Sequence, residues 1–413
     1  MQSKNNITAI TAAPNATAAL RITRSLKLPD PVKIARYSHS PELGPKILFF
    51  SGGSALRNLS QHLLHYTHNS IHIITAFDSG GSSAKLRQAF RMIAPGDLRA
   101  RLMDLADQSV TGNPDIYRLF AFRFPKDGET TVLRTRLQQM IAGDDPLLLP
   151  IPRPMRTIIQ NHLGYFFENM PDSFDLRGAS IGNLVLAGGY LNNRSDLSPV
   201  IFLFSKLAEV RGTVLPVVSS YLHLVATLQD GRTIAGQHLM TGKEVPPLSS
   251  PIKEVHLARS LNNPRPIEIE PDTAVMRQIR EAEVICYPMG SFFSSLVATL
   301  LPAGIGQAIA NNDCPKVYIP NMGPDPEQRG MTLYQSVKTL LEYLQKSCDK
   351  PVPVQRLLHG VIVDSTRGDY PMVIEREKIE SLGVQVIDAP LVTADSAPYQ
   401  DPRLTAEILL SLA

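Results

Sequence analysis

Residues 46–50, KILFF, are an apolar run of strand length, and Leu56, Leu59, Leu63 and Leu64 follow at i, i+3, i+7 and i+8, the spacing of one helical face. With SGGS at 51–54 between them, the segment predicts a strand, a tight turn and a helix. The pattern recurs at once. A second apolar strand at 71–76 runs directly into FDSGGSS, residues 77–83, and a helical run covers 85–93. Pro95-Gly96-Asp97-Leu98-Arg99 then breaks the chain before a further helical run to Asp107. Between residues 110 and 175 the pattern turns helical and irregular, with proline-rich joints near 144–154, which predicts a helical insertion. Within it, Phe120, Phe122 and Phe124 alternate as an extended, buried segment would.

Farther along, RGASIGNL at 177–184 opens a helix that carries Ile181, Leu184, Val185 and Leu191 on one face. Residues 214–218 and 221–228 read as strands, and Asp230-Gly231 is a turn leading to 233–239, a hairpin signal. An edge-like strand is expected at 264–270 and a helix at 272–281. The core strand at 283–287 ends in PMGSFFSS, a third strand, glycine turn and serine-bearing helix start. Strands at 317–320, 358–364 and 384–389 alternate with helices at 331–348 and 402–412. Such alternation predicts an α/β fold: a Rossmann-like, doubly wound, mainly parallel sheet with a helical insertion and a β-hairpin-rich segment. Residues 1–45 read as an N-terminal arm, mobile over its first 20 residues, with an extended lead-in carrying prolines at 29, 31, 41 and 45. Residues 46–413 read as one domain that contains the 110–175 insertion.

In a parallel sheet, the glycine loops that follow the first two strands open at the same carboxyl edge, where such sheets bind ligands. The first turn satisfies neither GxGxxG nor a GK[ST] ending, so it is no dinucleotide or Walker A fingerprint by itself. The second adds donors without bulk from Gly80, Gly81, Ser82 and Ser83, and Asp78 at the strand end can reach a metal or a sugar hydroxyl. Asp97 has two readings, a helix N-cap or a carboxylate aimed with Arg99 at the same ligand edge. Gly182, Gly188 and Gly189 fit close helix packing as well as phosphate approach; helix packing does not account for Asn183. His62, His65, His68 and His72 lack the shared face a metal site needs, and His238 reads as an ordinary surface or core histidine.

The 413 residues carry 41 basic and 38 acidic side chains, a net charge of +3 spread along the chain, so nucleic-acid binding is not expected. No uninterrupted apolar stretch approaches the roughly 18 residues of a spanning helix, so no membrane partner is expected. Cys286, Cys314 and Cys348 match no metal spacing, and their odd number argues against a disulfide framework, which points to a reducing cytoplasm.

In order and spacing, FFSGGSALRNL, TAFDSGGSSAKLR, PGDLRARL, YRLFAFRF, GASIGNLVLAGG, RGTVLPVV, YPMGSFFSSLVATLL and KVYIPNMGPDPEQRGMT resemble the 2-phospho-L-lactate transferase family of CofD and YvcK-like proteins, particularly its CofD-related branch. The resemblance runs from Lys46 to the C terminus. It implies a Rossmann-like fold, a homo-oligomer such as a dimer, and one of two functions. The first is Mg²⁺-dependent transfer of a phosphate-linked group from a nucleotide-activated donor, GDP-linked in the deazaflavin pathway. The alternative is YvcK-like regulation by binding a UDP-sugar without turnover. Either way the partner is a nucleotide-linked small molecule. The resemblance places Gly52, Gly53 and Ser54 in the first phosphate turn, Gly80, Gly81, Ser82 and Ser83 in the second, and Gly290 and Ser291 in the third, with Asn321 at a later strand end. Asp78 and Asp97 become candidates for Mg²⁺ and for the acceptor proton, and Asn183 for positioning. The family's second loop starts with two aspartates; here Ser79 stands in the second place, which removes one carboxylate from the set.

Overall fold

The computed structural model describes residues 25–109, 112–242 and 245–413. The mobile arm expected for the first 20 residues lies outside these, as do the first two residues of the expected insertion. Ten strands form two sheets: β1 (Ile47–Ser51), β2 (Ile71–Ile74), β3 (Thr213–Pro216), β4 (His223–Leu228), β5 (Thr233–Ala235), β6 (Ile252–Ala258), β7 (Val284–Tyr287), β8 (Lys316–Tyr318), β9 (Gly360–Val363) and β10 (Gln385–Asp388). The larger sheet is parallel throughout, in the order β10-β9-β8-β7-β1-β2-β3, and β5-β4-β6 is a small antiparallel sheet. The expected α/β fold is therefore present.

The helices are α1 (Pro31–His39), α2 (Arg57–Leu63), α3 (Gly81–Phe90), α4 (Pro95–Asp104), α5 (Pro114–Ala121), α6 (Thr130–Ala142), α7 (Arg153–Asn169), α8 (Ile181–Asn192), α9 (Ser198–Leu207), α10 (Thr273–Glu281), α11 (Ile305–Asn311), α12 (Leu333–Lys346), α13 (Arg376–Ser381) and α14 (Pro402–Leu412). Among the described residues no single helix is long and apolar enough to cross a membrane.

The unbroken apolar run of β1 has a direct cause. Leu48 and Phe50 point into one core, with Leu98, Leu102 and Phe120, while Ile47 and Phe49 point into a second, with Leu59, Leu63 and Leu409. A strand covered on both faces has no polar side to show. Strand order reverses between β1 and β7: successive strands β1, β2, β3 run one way and β7 to β10 the other. Loops leaving the carboxyl ends of strands at such a reversal splay apart and leave a crevice.

Three expectations change, and one strand appears that the sequence pattern did not show. Residues 28–45 are not an extended lead-in: Asp30 accepts from the N–H groups of Val32 (3.0 Å) and Lys33 (3.2 Å) and starts α1, with Pro31 at the first helical position, where a missing N–H costs nothing. The strand expected at 264–270 is absent. Pro264 and Pro266 cannot donate to a ladder, and a single backbone bond, Ile267 N–H to Leu257 (2.9 Å), ties this segment to β6. The strand β6, which lies earlier at Ile252–Ala258, carries Lys253 and Glu254 in succession and so lacks the alternation that would reveal it. Finally, Phe120 lies in the last turn of α5, and only Phe122 and Phe124 follow in an extended segment; Arg136 lies over the Phe122 ring, 4.5 Å from its centroid.

Candidate functional site

The loops after β1 and β2 meet the start of α4 around a cavity of about 420 Å³. Its walls include Gly52, Gly53, Ser54, Asp78, Gly80, Gly81, Ser82, Ser83, Asp97, Arg99, Asn183, Gly290 and Ser291. All the sequence-predicted site residues except Asn321 border this one space.

The first turn is shaped from beneath by a residue the sequence reading passed over. Arg101 is fully buried, and its Nη2 donates to the carbonyls of Gly52 (3.1 Å) and Gly53 (3.2 Å). Its Nη1 donates to Ser60 Oγ (2.7 Å) and Asp104 Oδ2 (3.3 Å). In a trans peptide the carbonyl and the following N–H point in opposite directions. Drawing both carbonyls onto Arg101 therefore turns the N–H groups of Gly53 and Ser54 away from it. Burial lowers the Arg101 pKa to about 10, and Asp104 opposes the shift. The signal was present as the second arginine of PGDLRAR, two positions after Arg99.

Asp97 is not the cap of α4. That helix starts after Ala94 without a side-chain cap, and Asp97 accepts from Thr75 Oγ1 (2.8 Å) instead. The fit against the first turn leaves no space for a side chain: a Cβ on Gly53 would stand 2.3 Å from Asp97 Oδ1, and one on Gly52 2.4 Å from Ser295 Oγ. Asp78 Oδ1 accepts the Gly80 N–H (3.0 Å), and a Cβ on Gly96 would stand 3.2 Å from Asp78 Oδ2. Glycines at 53 and 96 thus let two carboxylates close in on one cavity. Mg²⁺ is commonly held by one or two carboxylates together with substrate phosphate and water, and Asp78 with Asp97 fits that set. No cluster of three or more His, Cys, Asp or Glu ligands occurs among the described residues, the histidines of 62–72 included; His72 is buried and stacks on Phe49.

The second loop opens α3 at Gly81, whose φ of +47° suits glycine. The N-terminal N–H groups of such a helix favour an anion. Asn183 is fully buried and joins two walls: its Oδ1 accepts from Arg99 Nε (3.1 Å) and its Nδ2 donates to Ser82 Oγ (3.1 Å). Residues that the sequence did not place at the site also line the cavity. Arg123 donates to Ser82 Oγ (3.4 Å) and the Gly178 carbonyl (3.3 Å). His238 pairs through Nδ1 with Ser79 Oγ at 2.7 Å. So the place where the family has its second aspartate is joined here to an imidazole. Gln237 is buried beside it, and its Oε1 is unmatched by any donor among the described residues.

The third glycine loop differs from the other two. Gly290, at φ +138°, is clamped by Asn321, which accepts its N–H (2.8 Å) and donates to its carbonyl (2.7 Å). Asn321 faces a neighbouring cavity of about 400 Å³ that shares Gly290 and Ser291 with the first. Beyond Ser291 the helix-start donors are already taken: Phe292 N–H by Asp325 (2.8 Å), Phe293 and Ser294 N–H by Glu327 (both 2.8 Å). Carboxylates in that place keep a phosphate out. Burial, reinforced by Asp325, raises the Glu327 pKa to about 7 from 4.5. An acid raised on folding adds stability that is complete below its unfolded pKa and lost as pH rises through the folded one. Wild type should therefore lose stability between about pH 4.5 and pH 7 relative to Glu327→Gln, whose amide oxygen can accept the same two N–H groups while its NH2 donates to Ser294 Oγ. Parallel pH–stability curves for the two proteins would remove this assignment.

Residues 47–392 match the family described as 2-phospho-L-lactate transferase CofD. The chain is 28% identical over 379 residues to the gluconeogenesis factor of Bacillus subtilis, covering 89% of this chain and 98% of the relative. It is 27% identical over 349 residues to the gluconeogenesis factor of Halalkalibacterium halodurans, covering 83% and 88%. A crystal structure of a UPF0052 family member from Bacillus halodurans shares the fold at a TM-score of 0.63 and 23% identity, covering 89% of this chain and 99% of that one. Three glycine loops at a strand-order reversal and a match over most of the chain lead to one assignment: the chain belongs to the 2-phospho-L-lactate transferase CofD family, in the CofD-related branch with the gluconeogenesis factors.

Proposed function

We propose that this chain binds a nucleotide diphosphate of GDP or UDP type and, with Mg²⁺, transfers a phosphate-linked group from that donor to an acceptor. The observation that carries the reading is that Asp78 and Asp97 border the same cavity as the donors of the first two glycine loops. Transfer at phosphorus requires positioning and charge neutralisation more than a protein nucleophile. The N–H groups of Gly53, Ser54, Gly81 and Ser82 hold the diphosphate. Asp97 or Asp78 holds the metal or takes the acceptor proton, and Asn183 positions Ser82 and Arg99 against the phosphates. When bound, Mg²⁺ adds positive charge at the phosphate oxygens.

One observation favours a second reading, regulation without turnover. Ser79 supplies no carboxylate and is committed to His238, and the relatives of matching length are named gluconeogenesis factors. Calorimetry with GDP, UDP, UDP-N-acetylglucosamine and ADP, with and without Mg²⁺, separates the two. Under the transferase reading, Mg²⁺ tightens binding by about tenfold or more and Asp78→Asn removes that gain. Metal-independent binding of a UDP-sugar, unchanged in Asp78→Asn, favours the regulator. Binding of none of the four rejects both.

A further inference from the structure

His238 lines the cavity together with Asp78, yet it serves neither the phosphates nor the metal in the transfer described above. Its imidazole is clamped on two sides. Nδ1 pairs with Ser79 Oγ at 2.7 Å, and the same oxygen accepts the His238 backbone N–H (3.2 Å), so one hydroxyl fixes both the ring and its main chain. The ring also lies against the backbone of Gly236, at φ +117°, where a Cβ would stand 3.1 Å from Cε1 and 3.2 Å from Nδ1. Ser79 stands behind the ring, outside the cavity wall. Among the described residues the ring's hydrogen bond is made by Nδ1, and Nε2 has none. A surface histidine turns freely between tautomers. A ring held at one nitrogen and open at the other is the base, with its orienting partner, of an acid–base catalyst.

An aspartate at position 79, where the family has its second acid, would favour the ring as a cation; a neutral hydroxyl orients it and leaves it able to take up a proton. Carboxylates that hold a cation direct their lone pairs to it, so Asp78 and Asp97 suit the metal better than an acceptor hydroxyl. We propose that His238 Nε2 is the general base that takes the acceptor proton, and that Ser79 is its positioning residue. This rests on the transferase reading above and moves the proton from the aspartates to the imidazole. As Nε2 takes the hydroxyl proton, the acceptor oxygen bonds to the phosphorus of the linked group. The bridging P–O bond breaks, and its electron pair leaves with the nucleoside monophosphate. For Nε2 to be free, the ring proton sits on Nδ1 and is donated to the second lone pair of Ser79 Oγ, the first being taken by the His238 N–H.

Two measurements on the full chain test this. In the first, water stands in for the acceptor hydroxyl, and release of UMP from UDP-N-acetylglucosamine or of GMP from GDP-mannose is followed with Mg²⁺ present. His238→Ala should lower kcat by about a hundredfold or more with KM changed by less than about threefold, and added imidazole should recover about tenfold of the loss. Ser79→Ala should lower kcat by about tenfold at the same KM, and Ser79→Thr, which keeps the hydroxyl, should restore it. The second needs no nucleotide: imidazole nitrogen NMR spectra should show His238 as the Nδ1–H tautomer in wild type and Ser79→Thr, and lose that form in Ser79→Ala. If His238→Ala does not fold, the Ser79 variants and the spectra decide. Release that His238→Ala keeps, a loss that imidazole leaves unrepaired, or an Nε2–H ring in wild type overturns the base while the transferase reading stands. Binding without release of either monophosphate rejects the transferase reading and the base with it.

Discussion

Arg101→Met is expected to lower folding stability by about 3 kcal/mol and to abolish nucleotide binding. Both effects have one origin. The guanidinium is fully buried and ties α4 to Ser60 on α2, to Asp104 and to the carbonyls of Gly52 and Gly53. Methionine fills much of the volume but leaves two carbonyls and a hydroxyl without a partner, each a desolvated group. Asp104 keeps Arg57, which limits the loss. Burial already raises the Asp104 pKa and Arg101 is the main opposing charge, so its removal pushes that pKa higher. The variant's deficit should then widen as pH rises from about 4 toward neutrality, the direction for an acid raised on folding. Arg101→Lys retains charge without the fork that spans both carbonyls, so it should recover stability more than binding. Urea melts at two pH values with calorimetry check this. A soluble Arg101→Met protein that binds nucleotide as wild type does would show that the turn holds its shape without the arginine.

Gly188→Ala should cost about 3 kcal/mol or more, at the upper end of what overpacking does. A Cβ there would lie 1.7 Å from the His162 carbonyl oxygen and 3.1 Å from the Phe166 nitrogen. Both belong to the backbone of α7, which cannot yield as a side chain can. Gly164 on the same α7 is the control, since a Cβ there meets only Ile141 Cγ2 at 3.9 Å. Gly164→Ala should be neutral or stabilising by about 0.5–1 kcal/mol, because alanine gives up less chain entropy in a helix. Thermal melts of the two variants side by side make the comparison; equal losses would contradict the packing argument. The same geometry settles the glycines of α8. Those at 182, 188 and 189 sit against Phe120 and Arg99, His162, and Val200 respectively, so they serve helix packing. Asn183 alone on that stretch turns its side chain to the ligand wall.

Much of the molecule was legible from local pattern. The apolar runs of β1, β2 and β7 and the spacing on α2 and α8 report burial directly, because a buried face must be apolar wherever the chain then goes. Glycine turns after strands were equally plain, and parallel pairing places the first two on one edge. The sequence determined, by itself, an α/β sheet with phosphate-sized loops, and family membership from their order. Features that depend on which distant segments meet were not encoded locally. An arginine in a helix reads as a surface residue until the fold buries it, as with Arg101. His238 joined the cavity only because the β4–β5 hairpin delivers it to Ser79, 159 positions away. The third glycine loop repeats the motif of the others, yet Asp325 and Glu327 arrive from the loop after β8 to occupy its donors. Tertiary structure alone decided which donors face a ligand and which are satisfied within the protein, because a hydrogen-bonding group is defined by its partner and the partner lies far along the chain.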